Sequence, residues 1–391
     1  VSQSARQWPA VENEALYPEA ARPREAAAMS MSPLPRRVSA EERRGRGATI
    51  NPPGRFETRA RERIDDGWDN PPEALDPGTQ VTLEQARTII TRNDSPDLAF
   101  DRSLNPYRGC EHGCVYCFAR PSHSYMGLSP GLDFERQLFA KPNAAALLAR
   151  ELGAPGYVPR TLAIGTNTDP YQPIERRMRL MRGILDVLAQ ANHPVGIVTK
   201  SALVQRDIDL LAPMAAKGLA KVAISVTTLD PKISRGMEPR AASPAKRLET
   251  IAALTQAGIP VTVLVAPIIP AINDHEIERI LTAAREAGAR EAGYVLLRLP
   301  HEVKDLVRDW LVTHHPDKAR HVMSLVKQSR EGKENDPRFG TRQVGTGPFA
   351  WMIGRRFEIA MEKAGFAKRR LKLRTDLFVP PGGRGEQLSL F

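Results

Sequence analysis

From Asp101 onward, short apolar runs alternate with longer stretches in which apolar residues recur every three or four positions. The short runs, residues 98–104, 161–165, 195–199, 221–226, 261–266 and 294–299, read as strands. Most are rich in Val, Ile and Leu without clean alternation, as parallel strands covered on both faces are. Between them, residues 175–191 set Met178, Met181, Leu185 and Leu188 on one face, an amphipathic stripe that packs on a sheet. Residues 207–217, 244–257 and 276–287 repeat this pattern, with Gly218, Gly258 and Gly288 where C-terminal caps belong. Strand followed by helix about six times predicts a parallel α/β barrel or sheet. Six units in place of eight make a partial barrel, open on one side.

The flanks differ in texture. Residues 1–80 are rich in Pro, Arg, Glu and Ala with few apolar runs, and are expected to be extended or largely disordered. Within them, residues 36–63 carry nine arginines against four glutamates, and the stretch Gly45-Arg46-Gly47-Ala48-Thr49-Ile50-Asn51-Pro52 is read as a solvated arm or as a segment lying along a phosphate backbone. The barrel is expected over 81–300, a helical extension over 301–378 and a flexible tail over 379–391. In the extension, residues 354–374 hold eight Lys and Arg against two Glu, with Phe357, Met361, Phe366 and Leu371 among them. One face of that stretch is expected to pack on the barrel and the other to meet phosphates.

Charge sharpens the choice of partner. A net charge of +11 and an isoelectric point near 9.8 favour polyanions, nucleic acid first. The longest apolar run, 259–272, is interrupted by Pro260, Pro267 and Pro270 and is too short to span a bilayer. The expected setting is the cytoplasm, without membrane.

Candidate chemistry concentrates in one stretch. The three cysteines of the sequence, Cys110, Cys114 and Cys117, all lie between Asn105 and Phe118, with Gly109 and Gly113 beside them. Their odd count argues against disulfides, and thiolates packed this closely read as one metal site. A structural zinc site closes with four protein ligands, so a Cys3His site with His112 or His123 is one reading. Three cysteines on a four-iron cluster leave one iron open, which is the other. The expected strand ends add polar groups to the same rim: residues 165–175 after the second strand, Thr199-Lys200-Ser201 after the third, Ser225 to Thr228 after the fourth and Arg298 in the sixth.

The cysteine spacing, with Tyr116 before the last cysteine, resembles the signature of the radical S-adenosylmethionine (SAM) superfamily. From about Arg46 to Phe366 the chain resembles the branch related to spore photoproduct lyase, often described as DNA repair photolyase-like. That match rests on Asn105-Pro106-Tyr107-Arg108-Gly109-Cys110, Cys114-Val115-Tyr116-Cys117, Arg120-Pro121-Ser122-His123, Gly165-Thr166 with Thr168-Asp169-Pro170-Tyr171-Gln172-Pro173, and Thr199-Lys200. The resemblance implies a partial (β/α)6 TIM-like barrel carrying a 4Fe-4S cluster on Cys110, Cys114 and Cys117. SAM would chelate the open iron, with Phe118 near its adenine and Thr166, Thr168, Asp169, Lys200 and Ser225 in its binding site. Reductive cleavage of SAM would yield a 5′-deoxyadenosyl radical, with electrons from a donor such as flavodoxin or ferredoxin. The spore lyase uses a further cysteine to return hydrogen to its product; this sequence has none, and Tyr125, Tyr171 and Tyr294 are the candidate donors.

The sequence ends Gln387-Leu388-Ser389-Leu390-Phe391 after a Pro- and Gly-rich linker. It closely resembles the pentapeptide by which bacterial polymerases and repair enzymes bind the sliding clamp, with Gln387, Leu388, Leu390 and Phe391 as contacts. The leading expectation is therefore a lyase-like radical SAM enzyme acting on damaged DNA and recruited through its tail. Radical SAM modification of RNA or protein is the alternative, and a non-catalytic zinc-dependent nucleic-acid-binding protein is the third reading.

Overall fold

The computed structural model describes residues 36–39, 43, 45–57 and 78–381. The tail motif Gln387, Leu388, Leu390 and Phe391, and most of the expected arm, lie outside the described residues.

Six parallel strands follow one another in space as they do in sequence: β1 (Arg102–Leu104), β2 (Leu162–Ile164), β3 (Val195–Thr199), β4 (Ala220–Ser225), β5 (Val261–Ile268) and β6 (Glu291–Leu296). An edge strand, Ile90–Arg92, adds antiparallel to β1. The crossovers are α1 (Ala144–Leu152), α2 (Leu180–Gln190), α3 (Ile208–Ala216), α4 (Pro244–Gln256) and α5 (Ile277–Glu286). Each buries a Leu, Ile, Val or Met stripe in one core with the strands. The three expected cap glycines stand at helix ends with positive φ. This is the partial TIM-like barrel expected, α/β with a helical C-terminal part.

Two local readings change. Residues 175–191 form two helices, Glu175–Met178 and Leu180–Gln190, because Arg179 takes a left-handed φ of 53°. The Glu175 carboxylate accepts from the Leu180 and Met181 amides at 3.0 and 3.1 Å, capping the second helix where the first ends. Strands β3 and β5 also alternate between buried and half-buried positions. The half-buried Val198, Leu264 and Val295 point into a cavity inside the open barrel, so only the outer face is fully covered.

Before the barrel, Gln80–Leu83 pairs with Gln137–Ala140, which pairs with Tyr107–Arg108, a small sheet that leads into the cysteine stretch. After it, α6 (Val303–His314), α7 (Ala319–Gln328) and α8 (Gly347–Ala364) follow. Trp310 on α6 donates to the Gly236 carbonyl at 2.9 Å and shares a second core with Cys114, Val115 and Tyr116. Among the described residues, no helix is long and apolar enough to cross a membrane.

The basic stretch 354–374 packs on α5 and then runs beneath the barrel. The Arg374 amide bonds Gly218 and the Ala367 amide bonds Arg290, both at the amino ends of strands. Arg356 pairs with Glu278 at 2.8 Å and Arg374 with Asp376 at 2.6 Å. Its last part, from Ala367 to Arg374, lies at the amino ends of the strands, whereas Arg356 meets the first turn of α5 on the outer face of the barrel. The expectation for Arg46 to Pro52 also changes. Arg46, Ala48 and Ile50 are buried, and the Arg46 guanidinium donates to the Glu135 carbonyl at 2.8 Å, so this segment is packed and not solvated.

At the amino end of β3, buried His193 accepts from the Tyr157 hydroxyl at 2.8 Å through Nε2 and lies 3.1 Å from the Pro194 carbonyl through Nδ1, an arrangement of the neutral ring. Burial pulls its pKa down to about 4, against a modest opposing contribution from Pro194. The unfolded chain therefore binds a proton that the folded chain refuses, and the stability contributed is full above about pH 6.5 and lost as pH falls towards 4, about 3 kcal/mol in all. Urea unfolding at both ends of this window should show a smaller pH-dependent loss for His193→Gln than for the wild type. An equal loss would contradict the assignment.

Candidate active site

The cysteine stretch carries almost no secondary structure of its own, so side chains from elsewhere satisfy its backbone. Gln172, fully buried, donates to the Gly109 carbonyl at 3.1 Å and accepts from the Glu111 amide at 2.9 Å. Arg120, also fully buried, donates to the carbonyls of Cys114 at 2.8 Å, Pro130 at 3.0 Å and Gly131 at 2.8 Å. Its remaining nitrogen meets Glu135 at 2.5 Å, and Glu135 in turn takes the Gly47 and Ala48 amides at 2.9 and 2.8 Å. Gly47 passes so close to the loop that a Cβ there would stand 1.8 Å from the Gly113 carbonyl oxygen, a position only glycine can fill. Tyr116 donates to Glu238, which Thr227 joins at 2.7 Å and Arg247 neutralises within the barrel wall.

These anchors turn Cys110, Cys114 and Cys117 into one cavity of about 300 Å³ at the carboxyl ends of the strands. Among the described residues, no three His, Cys, Asp or Glu side chains converge closely enough for a single metal ion. His123 spends Nε2 on the Gln137 carbonyl at 2.9 Å, and His112 Nδ1 faces Asp169 at 3.3 Å. Three thiols on one cavity suit a multi-iron cluster, in which each thiolate takes a different iron, while a Cys3His zinc site would need His123 to give up its bond to Gln137 or His112 to turn from Asp169. Burial pushes the Cys110 thiol up, with Asp169, Cys114 and Cys117 adding to it; burial and Glu238 push Cys114 up to about 12, against Lys200.

The other expected residues divide in two. Phe118, Thr166, Thr168, Asp169, Lys200 and Ser225 all line the cavity. Thr168 spends its hydroxyl on the Tyr107 carbonyl at 3.0 Å. Asp169 accepts from the Thr199 hydroxyl and the Lys200 amide, both at 2.7 Å. Burial raises the Asp169 pKa, but His112, Lys200 and Thr199 outweigh it and hold the carboxyl down to about 2. Lys200 lies 5.9 Å from the Tyr116 ring centre. Its ammonium is held protonated: burial alone lowers the pKa, and Cys114 and Glu238 more than reverse that.

The candidate tyrosines are not brought to the cavity. Tyr171 is fully buried against Asp207 at 3.0 Å, Tyr294 packs outward on Phe357 at 4.8 Å, and Tyr125 projects into solvent beside Phe56. Each lies on the wrong face of its element, since a tyrosine near a motif in sequence can point to either side of it. Sequence reasoning missed the lining residue Gln343 and gave His112 and Asn167 no place among the cofactor contacts. Gln343 comes from a loop remote in sequence and carried no local signal, whereas His112 and Asn167 lay inside the recognised motifs.

Gln172→Leu keeps the side-chain size but leaves the Gly109 carbonyl and the Glu111 amide buried without partners. A loss of about 1–3 kcal/mol is expected, together with lower iron and sulfide content after reconstitution, measured by thermal melting and metal analysis. Wild-type iron content in a destabilised variant would show that Gln172 does not position the cysteines.

The Radical SAM superfamily model matches residues 104–284. An uncharacterized protein of Mycobacterium tuberculosis is 38% identical over 253 residues, covering 63% of this chain and 74% of that protein. An uncharacterized protein of Methanocaldococcus jannaschii is 27% identical over 173 residues, 44% of this chain and 62% of that protein. Among solved structures, spore photoproduct lyase complexed with dinucleoside spore photoproduct superposes with a TM-score of 0.53 at 15% identity, covering 72% of this chain and 79% of that one. At that identity the likeness is one of fold. The three thiols on one cavity, the open barrel around them and the match in sequence converge, and the chain belongs to the radical SAM superfamily, whose enzymes work with a 4Fe-4S cluster and SAM.

Proposed function

We propose that this radical SAM enzyme acts on damaged DNA in the manner of a photoproduct lyase. The observation that carries the reading is the cavity that joins the three thiols to unspent polar groups and opens at the strand ends. Support for DNA comes from the net charge of +11 and from the shared fold with spore photoproduct lyase, which was solved with a dinucleoside lesion.

In this reading Cys110, Cys114 and Cys117 hold the cluster. When bound, cluster and SAM together supply a 5′-deoxyadenosyl radical that abstracts hydrogen from an unactivated carbon. The chain binds, orients and excludes water. Phe118, half-exposed, offers its ring to the adenine, while Thr166, Ser225 and the Lys200 ammonium are the hydrogen-bonding and charged groups for the rest of SAM. Thr168 and Asp169 act through others: the first fixes the strand before Cys110, the second orients His112 and the turn that carries Lys200. Leu98, Phe100, Leu264 and Val295 wall the cavity with apolar surface and keep water from the reacting atoms. An electron donor such as flavodoxin or ferredoxin completes the cycle. Gln387, Leu388, Leu390 and Phe391 recruit the enzyme to a bacterial sliding clamp, a contact that leucine and phenylalanine side chains make by entering an apolar groove of a partner.

Anaerobically reconstituted and reduced protein given SAM should form 5′-deoxyadenosine faster with ultraviolet-irradiated DNA than with untreated DNA, and Cys114→Ala should abolish both the product and the bound sulfide. Formation indifferent to irradiation would move the substrate to RNA or protein. One zinc per chain without acid-labile sulfide would overturn the catalytic reading altogether.

The tail has its own test. Combined Leu390→Ala and Phe391→Ala substitution should eliminate co-elution with the clamp on gel filtration, without altering 5′-deoxyadenosine formation on free oligonucleotides. Undiminished co-elution would remove the recruitment step.

A further inference from the structure

Two exposed aromatic groups lie outside the cavity lining, on segments connected to it through the chain. In the first, Phe56 and Tyr125 leave 56% and 72% of their surfaces open, with ring centres 5.0 Å apart. The Arg55 guanidinium lies 5.0 and 5.2 Å from the two centres. Tyr125 stands on the short helix Arg120–Met126 that follows cavity-lining Phe118, and Arg55 pairs with Glu302 at 3.6 Å, just beyond cavity-lining Arg298. In the second group, Phe339 is 54% exposed with the Arg342 guanidinium 4.6 Å from its ring centre. Asp97 grips that guanidinium at 2.6 and 2.7 Å, and the adjacent Gln343 lines the cavity.

Arg298, itself in the cavity lining, lies 5.6 Å from the Phe118 ring centre. Its buried Nε–H has no hydrogen-bond partner among the described residues. A guanidinium donor left unpaired in a buried position is costly unless a ligand acceptor completes it. Arg330 braces this segment by donating to the Leu296 and Leu297 carbonyls at 3.1 and 2.9 Å, so Arg298 is held in place on a fixed strand end.

We propose that Phe56, Tyr125 and Phe339 form a stacking platform for the bases of an unpaired DNA segment, and that the free N–H of Arg298 takes a phosphate oxygen of the nucleotide entering the cavity. An aromatic ring backed by a guanidinium presents its open face to another flat π-system, and every nucleobase supplies one. Bases inside a duplex are already stacked on each other, so the platform engages single-stranded or locally opened DNA and holds the strand while one nucleotide turns into the cavity. Arg298, with its unpaired donor, adds the attraction for the backbone that rings alone lack. This inference rests on the proposed action on DNA and specifies how that substrate is gripped.

The reconstituted holoenzyme is titrated with a fluorescent single-stranded oligodeoxynucleotide of about 12 nucleotides, a length within the range one binding groove covers, and with the matching duplex. Tighter binding of the single strand is expected, with Tyr125→Ala and Phe339→Ala each weakening it roughly 5- to 100-fold while the duplex affinity changes little. In Phe339→Trp, binding should be retained and the added indole fluorescence quenched by the oligonucleotide but not by polyglutamate. Affinity unmoved by both alanine substitutions, with 5′-deoxyadenosine still stimulated by irradiated DNA, overturns the platform and leaves the substrate class standing. Equal quenching by polyglutamate reduces the surface to charge and also overturns the platform. A wild-type protein that binds neither oligonucleotide overturns both readings.

Discussion

Every feature of the site depends on how a loop without regular structure is held still. Three thiols that must address one cluster need a backbone fixed to within fractions of an ångström, and a loop cannot supply that from its own hydrogen bonds. Here buried side chains do it from three directions: Gln172 after β2, Arg120 with Glu135 from the segment that follows the cysteines, and Glu238 after β4 through Tyr116. Each anchor is polar and buried, where an unpaired group is expensive, so the bonds reinforce a single conformation.

The same economy explains why so much of the long polar motif after β2 is spent inside the protein. Thr168 holds Tyr107, Asp169 holds His112 and the turn after β3, Tyr171 meets Asp207, Gln172 bridges the cysteine loop, and Glu175 caps α2 while taking Tyr107 and Arg206. Polar residues at a strand end therefore divide into a layer that faces the cavity and a layer that supports it. Thr166, Lys200, Ser225 and Arg298 belong to the first.

An open barrel adds a second consequence. With six parallel strands and an antiparallel edge, the inner faces of β3, β5 and β6 are not filled by opposing strands, and a cavity stands where an eight-stranded barrel would place side-chain layers. The extension helices close the cysteine side through Trp310, and the Asp97 to Arg342 pair ties the segment before β1 to the loop after α7.

The sequence by itself determined the alternation of strands and helices, the six parallel strands, the helix-ending glycines and the clustering of the three cysteines, which line one cavity. These rest on local spacing and on covalent proximity, which no packing can alter. It also marked Thr166, Lys200 and Ser225 as cavity residues, because strand ends in such a fold share one rim, and the family resemblance added Phe118. Only the tertiary structure decided which way side chains face and what remote segments meet. It turned Tyr125, Tyr171 and Tyr294 away from the cavity, brought Gln343 into it from beyond α7, packed Arg46 to Pro52 against the cysteine loop and carried residues 367–374 to the amino ends of the strands. The physical reason is that facing and remote contact are settled by long-range burial and by the pairing of buried charges, neither of which leaves a periodic trace in the chain.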